Sequence, residues 1–232
     1  MHPEFDKKGY LVARNFFDDT TIALTQTYFD FKYRYINYSE ENRREANKVK
    51  LDPTGRDGDI ASSFTFYGDL LTESIHLNYG QKTCELLGAD LSPTYSYARI
   101  YEKGDVLVPH FDREACEISA TCPILVSSDI PSTIYISNYK VDSNTDKKTY
   151  TLEEVEKRGD YTEVSLHAGD ALFYKGRERF HWRKPLECDY LSQFFMHFVK
   201  TDGLYKDWTF DKRPYSGFPE SYNAFGLNRL NK

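Results

Sequence analysis

The chain contains 232 residues, of which 40% are hydrophobic and 28% charged, and its 36 acidic and 30 basic side chains leave a net charge of −6. Nineteen tyrosines and 16 phenylalanines supply the bulk of a hydrophobic core, which excludes a disordered chain. Binding nucleic acid over a whole surface needs a basic excess, so the acidic balance disfavours a nucleic-acid partner.

Local composition disfavours two further classes of protein. No segment approaches the ~18 consecutive apolar residues of a membrane span, and the first residues lack the apolar core of a secretion signal. The sequence therefore predicts a cytoplasmic protein without a membrane partner. The cysteines are too few and too irregularly spaced for a disulfide framework or paired zinc ligands, so we expect reduced thiols at Cys84, Cys116, Cys122 and Cys188.

Residues 1–90 carry helical signals and are predicted to support the rest of the chain. Residues 9–17 are apolar and bounded by charges, which predicts a strand. Asp18 or Asp19 is suited to cap a helix that runs to about Tyr35. The apolar residues at helical spacing are the expected buried stripe of this helix: Ile22, Leu24, Tyr28 and Phe31.

The segment that follows is polar and rich in turn-forming residues. Residues 39–60 are therefore predicted to form a surface excursion. Asp69 begins another helical segment, and a further one ends at Gly88, because glycine is favoured directly after a helix.

Residues 91–200 have the texture of a β domain. Short apolar runs separated by Gly, Pro and Asp predict an all-β sandwich or jelly roll in this part of the chain. The expected strands are 94–101, 106–111, 116–126, 132–140, 162–166, 170–175 and 190–199. Between them, Thr151 and Glu154 form a capping-box pattern that predicts a short helix ending near Gly159. The tail, residues 201–232, is expected to lie across the sheet or over the mouth of a site, as a lid.

A histidine and an aspartate two residues apart are the sharpest chemical feature. Residues i and i+2 of a strand share a face, so His110 and Asp112 point together into one cavity. A second imidazole is available at His181, after a predicted strand and turn. Two imidazoles and one carboxylate leave three octahedral positions open, which is the arrangement of non-haem Fe(II) oxygenases. The His-x-Asp pair alone is a weak signal, because an ordinary strand end also produces it.

Other residues compete with this assignment. His167 precedes a turn at Asp170, where a polar residue is expected for structural reasons. His197 lies within an apolar run, where an isolated imidazole is more often a satisfied core residue. We therefore predict His181 as the distal ligand, and a buried thiol without a catalytic role at Cys116.

The pattern Tyr101-x-x-Gly104-x-x-Leu107-x-x-His110-x-Asp112, followed by Gly-Asp, Tyr-x-Gly and His181, resembles the 2-oxoglutarate/Fe(II)-dependent oxygenases, in particular the prolyl-hydroxylase-like group. The resemblance extends over most of the chain, from near the N-terminus to about Pro214. It implies one oxygenase domain over residues 1–232, a mainly β (α+β) double-stranded β-helix, or jelly roll, with N-terminal helices packed on one sheet.

The resemblance also implies the chemistry. The catalytic metal ligands would be His110, Asp112 and His181, the metal Fe(II), the cosubstrate 2-oxoglutarate and the oxidant O₂. The expected reaction is hydroxylation of a small-molecule or peptidyl substrate, with peptidyl proline among the substrates left open. Two alternatives stay open at this point: a metal-containing jelly roll that only binds a ligand, and an oxygenase similar to nucleic-acid demethylases. The oligomeric state is not predicted.

The sequence departs from the family at the basic residue that binds the distal carboxylate of 2-oxoglutarate. Members usually place Arg or Lys about ten residues after the distal histidine, often with Ser two residues later, but residues 190–192 here read Tyr-Leu-Ser. Three candidate replacements are visible: Arg99, on the predicted strand face of Tyr101, Arg183, with the parity of His181, and the adjacent Lys184, which has the opposite parity. The alternative for each arginine is an ordinary surface ion pair. The predicted cosubstrate-binding set is Tyr101, Arg99, Arg183, Thr121 and Ser192.

Two charged residues close to the His-x-Asp pair are assigned a structural role. Arg113 and Glu117 are predicted to pair with each other across a turn rather than to gate a substrate. Ser119 and Thr121 follow Glu117 at every second position, and they are available to hydrogen-bond a bound acid.

Overall fold

The structure is a computed structural model that describes residues 1–50, 63–141 and 150–213. Over these residues the chain forms helices and strands in an order that is helical first and β later. The helices are α1 (Pro3–Lys8), α2 (Asp19–Ile36), α3 (Glu40–Lys50), α4 (Leu70–Asn78), α5 (Gly80–Leu87) and α6 (Leu152–Arg158). The strands are β1 (Tyr10–Ala13), β2 (Phe64–Tyr67), β3 (Leu91–Glu102), β4 (Leu107–His110), β5 (Ile118–Val126), β6 (Ser132–Ser137), β7 (Tyr161–Leu166), β8 (Ala171–Tyr174), β9 (His181–Arg183) and β10 (Tyr190–Lys200).

The strands form two antiparallel sheets. The larger sheet has the order β1-β8-β5-β10-β3-β2, and the smaller has the order β4-β9-β6-β7. From β3 to β10 the chain crosses between the two sheets at every connection except the β6–β7 hairpin, so the polypeptide winds as a jelly roll, and the predicted fold class is confirmed.

The N-terminal helices cover the outer face of the larger sheet, as predicted. One core cluster joins outward-facing strand residues such as Ile100 and Ala120 to Phe29 of α2. Strand alternation then turns the residues between them toward the space between the sheets. That inner face carries the polar side chains of Arg99, Thr121 and Gln193, so the site lies inside the sandwich.

The local signals that begin and end helices agree with the structure. The Asp18 side chain accepts a hydrogen bond from the Thr21 backbone N–H at 2.9 Å, which caps α2. Gly88 has a left-handed φ of 59° after α5, a conformation that side chains disfavour. The capping box predicted at Thr151 and Glu154 is present at the start of α6.

The buried stripe predicted for α2 is wrong at two positions. Leu24 is 57% exposed and Phe31 is 64% exposed, whereas Thr25, Phe29 and Ile36 are buried. The helix instead buries the face of Thr25 and Phe29, and Thr25 satisfies its hydroxyl by donating its hydrogen to the Thr21 carbonyl at 2.6 Å. A threonine satisfied in this way is buried at little cost, and residue type alone therefore misidentifies the face.

The predicted excursion at residues 39–60 is corrected in its first half. Residues 40–50 form α3, whose start is capped by Ser39 Oγ accepting from the Asn42 backbone N–H at 3.1 Å. This helix has almost no apolar face and is held instead by Arg43, which pairs with Glu102 at 2.6 Å. Residues 51–60 lie outside the described residues. Strands β2 and β9 and helix α1 were not predicted.

The structure also bears on membrane spans and on the cysteines. In the three described ranges, none of the helices combines the length and the apolar character that crossing a bilayer requires. The four cysteines are free thiols, as predicted.

Candidate metal centre

The two predicted imidazole ligands lie on neighbouring strands. His110 of β4 is directly opposite His181 of β9, and their ring centroids are 4.2 Å apart. Nδ1 of His110 lies 2.8 Å from the Val108 carbonyl, and Nδ1 of His181 lies 3.2 Å from the Arg179 carbonyl. Since a carbonyl only accepts, each Nδ1 is the protonated nitrogen, and each Nε2 presents a lone pair.

Asp112 completes the cluster. Its Oδ1 lies 3.7 Å from His110 Nε2 and 3.5 Å from His181 Nε2, and the three ligand atoms lie within 4.8 Å of one another. Two imidazole nitrogens and one carboxylate oxygen are a donor set that suits a first-row metal with open positions. The three predicted ligands are therefore brought together, and their chemistry fits the implied iron.

The electrostatics keep these groups in the protonation state that a metal needs. Burial, and then the charge of His181, lowers the pKa of His110 to about 4. Burial opposes ionisation of Asp112, but the neighbouring His181 and His110 imidazoles hold its pKa well below the usual range. At neutral pH the cluster thus offers a neutral imidazole and a carboxylate without losing a proton first.

Gly176 makes room for the carboxylate and was not predicted as a functional position. The Asp112 backbone N–H donates to the Gly176 carbonyl at 2.8 Å. A Cβ at position 176 would lie 2.3 Å from Asp112 Oδ2 and 2.4 Å from the Cys116 carbonyl oxygen. Only glycine therefore allows this approach; its place in the Tyr-x-Gly segment was the available signal.

Arg183 lies on the same strand as His181 and on the same side. Two residues of strand separate the two Cα atoms by about 7 Å. The side chain is 3% exposed and donates to Ser132 Oγ at 3.1 Å, to Gln193 Oε1 at 2.7 Å and to the Thr133 carbonyl. No carboxylate among the described residues pairs with it, and burial lowers its pKa. A buried guanidinium without an anionic partner is costly, which indicates a site for an anion.

Gln193 is a site residue that the sequence reasoning missed. It occupies the inner face of β10 twelve positions after His181, and the signal was its shared parity with His197. Gln193 Nε2 and Arg183 Nε lack a hydrogen-bond partner within the described part of the chain, as does Thr121 Oγ1 farther along the inner face on β5. The ring of Tyr101 lies 5.5 Å from the Arg183 guanidinium.

Of the remaining predicted cosubstrate residues, Arg99 faces the interior and Ser192 does not. Arg99 is buried, donates to Ser63 Oγ at 2.9 Å and lies directly across the β3–β10 ladder from Gln193. Both Arg99 and Arg183 are buried, so neither lies at the surface. Ser192 pairs with Ile100 and faces outward like Phe194, which belongs to the core between the larger sheet and the N-terminal helices.

The predicted pair between Arg113 and Glu117 is wrong. Arg113 makes two 2.7 Å hydrogen bonds to the carboxylate of Asp211, whereas Glu117 accepts from the Lys200 backbone N–H at 2.9 Å. The partner comes from the tail, whose helical turns at Lys206–Lys212 lie against β3 and the 3₁₀ turn after the His-x-Asp pair. Part of the tail therefore crosses the sheet, as expected; residues 214–232 lie outside the described residues, and the lid stays a prediction.

Replacing Asp211 with asparagine is expected to loosen the tail. The substitution removes the charge that Arg113 and the Tyr67 hydroxyl bind, while asparagine tolerates the positive φ of 56° at this position. Because Arg113 is partly exposed, we expect the free energy of unfolding to fall by about 1 kcal/mol. Limited proteolysis should cut the tail faster than in the wild type, and an unchanged cutting rate would contradict the anchoring role.

The metal-free protein is expected to lose stability as the pH falls from 6.5 toward 4. Burial lowers the pKa of His76 to about 3 and those of His110 and His197 to about 4, so in this window the unfolded chain binds protons that the folded chain does not. Each group contributes up to about 1.4 kcal/mol per pH unit. Chemical denaturation at several pH values measures the slope, which His76→Leu should reduce; an unchanged slope would contradict the assignment.

The comparisons with known proteins concern the fold. No family model and no curated protein matches the chain. Among solved structures, SnoK, a non-haem α-ketoglutarate-dependent carbocyclase from nogalamycin biosynthesis, is 14% identical, with 85% of this chain and 82% of that chain covered and a TM-score of 0.57. HygX from Streptomyces hygroscopicus, with nickel and 2-oxoglutarate bound, is 14% identical with 85% of each chain covered and a TM-score of 0.53. A Pseudomonas putida prolyl-4-hydroxylase is 14% identical, with 85% and 95% covered and a TM-score of 0.51. The chain has the fold of 2-oxoglutarate/Fe-dependent oxygenases.

Proposed function

We propose that the chain is an Fe(II)- and 2-oxoglutarate-dependent dioxygenase that hydroxylates its substrate. The observation that carries the proposal is the convergence of His110, Asp112 and His181, with ligand atoms within 4.8 Å of one another, on a fold that such oxygenases share. Iron, 2-oxoglutarate and O₂ would together supply the chemistry: the cosubstrate is decarboxylated to succinate, and one oxygen atom enters a C–H bond of the substrate.

Arg183 is the group we assign to the distal carboxylate of 2-oxoglutarate. Its position about 7 Å along the strand from His181 is comparable with the length of a five-carbon dicarboxylate. A carboxylate there would compensate the buried guanidinium, and its oxygens would satisfy Arg183 Nε and Gln193 Nε2. The Tyr101 ring lies 5.5 Å from this guanidinium, and Arg99 lies opposite Gln193 on the inner face of β3.

The substrate is assigned to the small-molecule or peptidyl class. The solved neighbours include a carbocyclase and a prolyl-4-hydroxylase, so this fold accommodates more than one kind of substrate. The net charge of −6 weighs against a nucleic acid.

A second candidate is a jelly roll that binds a metal and a ligand without O₂ chemistry. The absence of a cation at residues 190–192, where the family usually has one, favours it. Production of succinate discriminates between the two. The protein is loaded with Fe(II) and 2-oxoglutarate without oxygen and then mixed with O₂, and succinate is quantified by mass spectrometry. The dioxygenase predicts metal-dependent succinate; bound iron without succinate would favour the binder.

A further inference from the structure

Asp112 is held by more contacts than its role as a ligand requires. Its backbone carbonyl accepts from Arg177 Nη1 at 3.0 Å, and its N–H donates to the Gly176 carbonyl. In the side chain, Oδ1 faces the two imidazoles, while Oδ2 accepts a hydrogen bond from Ser119 Oγ at 2.8 Å. The two oxygens of one carboxylate therefore have different environments.

The Ser119 hydroxyl is in turn oriented by a third histidine. Ser119 Oγ lies 2.9 Å from His197 Nδ1, and the two residues are directly paired between β5 and β10. A hydroxyl has one hydrogen, and the carboxylate can only accept, so Ser119 donates to Asp112 and His197 Nδ1–H must donate to Ser119. Burial lowers the pKa of His197 to about 4, which leaves the ring neutral with one N–H.

Packing fixes the His197 ring in this orientation. The ring lies parallel to Phe195, with centroids 6.2 Å apart and 8° between the planes, and its centroid is 4.5 Å from that of Tyr95. The imidazole is thus held by aromatic side chains on the inner face of the larger sheet, and its Nδ1–H has a defined direction.

We propose that His197 and Ser119 are positioning residues that occupy Asp112 Oδ2 and so restrict metal binding to Asp112 Oδ1. The inference rests on the proposed function, because it concerns the metal of that site. A carboxylate that binds through one oxygen takes one coordination position, whereas binding through both would remove a position that the cosubstrate or O₂ needs. Hydrogen-bonded partners of ligands commonly tune metal affinity in this way.

The same region contains a second set of ligand types, but the contacts favour a hydrogen-bond network. Asp112, Cys116 and His197 also have ligand atoms within 4.8 Å of one another. Ser119 already occupies both Asp112 Oδ2 and His197 Nδ1, and Cys116 Sγ lies 3.1 Å from the Tyr95 hydroxyl. Burial raises the pKa of the Cys116 thiol, which keeps it protonated and disfavours it as a ligand.

Two substitutions of His197 separate hydrogen bonding from packing. His197→Phe keeps a ring beside Phe195 and loses the donor, whereas His197→Asn keeps an N–H near the Nδ1 position and loses the ring. Mn(II) affinity is measured by calorimetric titration on variants whose fold is checked by circular dichroism. We expect His197→Phe to bind Mn(II) roughly 10- to 100-fold more weakly than the wild type, and His197→Asn to remain closer to the wild-type value.

The reverse order, with His197→Phe like the wild type and His197→Asn impaired, would overturn the proposal. If both variants lose affinity equally, Ser119→Ala decides, since it removes the hydrogen bonds without changing the His197 ring. Wild-type Mn(II) affinity in Ser119→Ala would overturn the proposal, and a loss of about tenfold or more would support it. Binding of two metal ions per chain would also overturn it. Wild-type protein that binds no metal, by contrast, would refute the proposed function itself.

Discussion

The alanine variant of His181 is expected to lose metal binding and, with it, all metal-dependent turnover of 2-oxoglutarate. The substitution removes one of three ligand atoms that lie within 4.8 Å of one another. The loss should exceed the roughly 10- to 100-fold that follows removal of a partner hydrogen-bonded to a ligand. His110→Ala and Asp112→Ala are expected to behave in the same way.

His167 supplies the matched control for this measurement. It is a histidine of the same β region but is exposed in the turn before β8, so His167→Ala should retain wild-type Mn(II) affinity. Titration of each variant with Mn(II), followed by succinate assays with Fe(II), gives both readouts. Full succinate formation by His181→Ala would show that the distal ligand is assigned to the wrong residue.

Removal of the Arg183 guanidinium is expected to weaken 2-oxoglutarate binding while the metal still binds. Loss of one buried charged contact to a carboxylate costs about 2–5 kcal/mol, which corresponds to roughly a 30- to several-thousand-fold loss of affinity. Arg183 is 3% exposed, and Arg183→Met preserves much of its apolar stem, so this substitution limits the cavity left behind. Arg183→Lys should recover the affinity only in part, because an ammonium lacks the planar fork.

Arg99→Met is the comparison variant, because Arg99 is a second buried arginine and lies opposite Gln193 on the inner face of β3. Affinity is measured with Mn(II) bound and without O₂, by the increase in melting temperature; a ligand at 100 times its dissociation constant stabilises by about 2.7 kcal/mol. Arg183→Met with wild-type affinity, together with a loss in Arg99→Met, would move the distal carboxylate to the β3 side.

The two halves of the candidate metal cluster could be predicted to different degrees. His110 is the last residue of β4 and Asp112 lies two residues beyond it; strand alternation predicts a shared side, and the hydrogen bond from the Asp112 backbone N–H to the Gly176 carbonyl holds Asp112 there. His181 required one further step, that the turn before it returns the chain to the same sheet. The register that places it directly opposite His110 is consistent with that reasoning.

The surroundings of the Arg183 guanidinium and the Ser119–His197 contact depend on the order of the strands in the sheets. The periodicity of the sequence does not reveal that order. Arg183 meets Gln193 because β9 of the smaller sheet faces β10 of the larger one. The sequence favours an isolated core imidazole at His197. Only its register opposite Ser119, which hydrogen-bonds to both His197 and Asp112, connects it to the candidate metal cluster. Residue type also predicted the wrong buried face of α2, because Thr25 is buried with its hydroxyl hydrogen-bonded to the Thr21 carbonyl.

Anaerobic titration of the wild type with Fe(II) and 2-oxoglutarate tests the central claim most directly. A site with two imidazoles, one carboxylate and open positions allows the cosubstrate to chelate the iron, which produces a weak visible absorption band. The band is expected to require both components, to saturate at one equivalent of each and to disappear in His181→Ala. Iron that binds with wild-type protein but yields no band at saturating 2-oxoglutarate would contradict it.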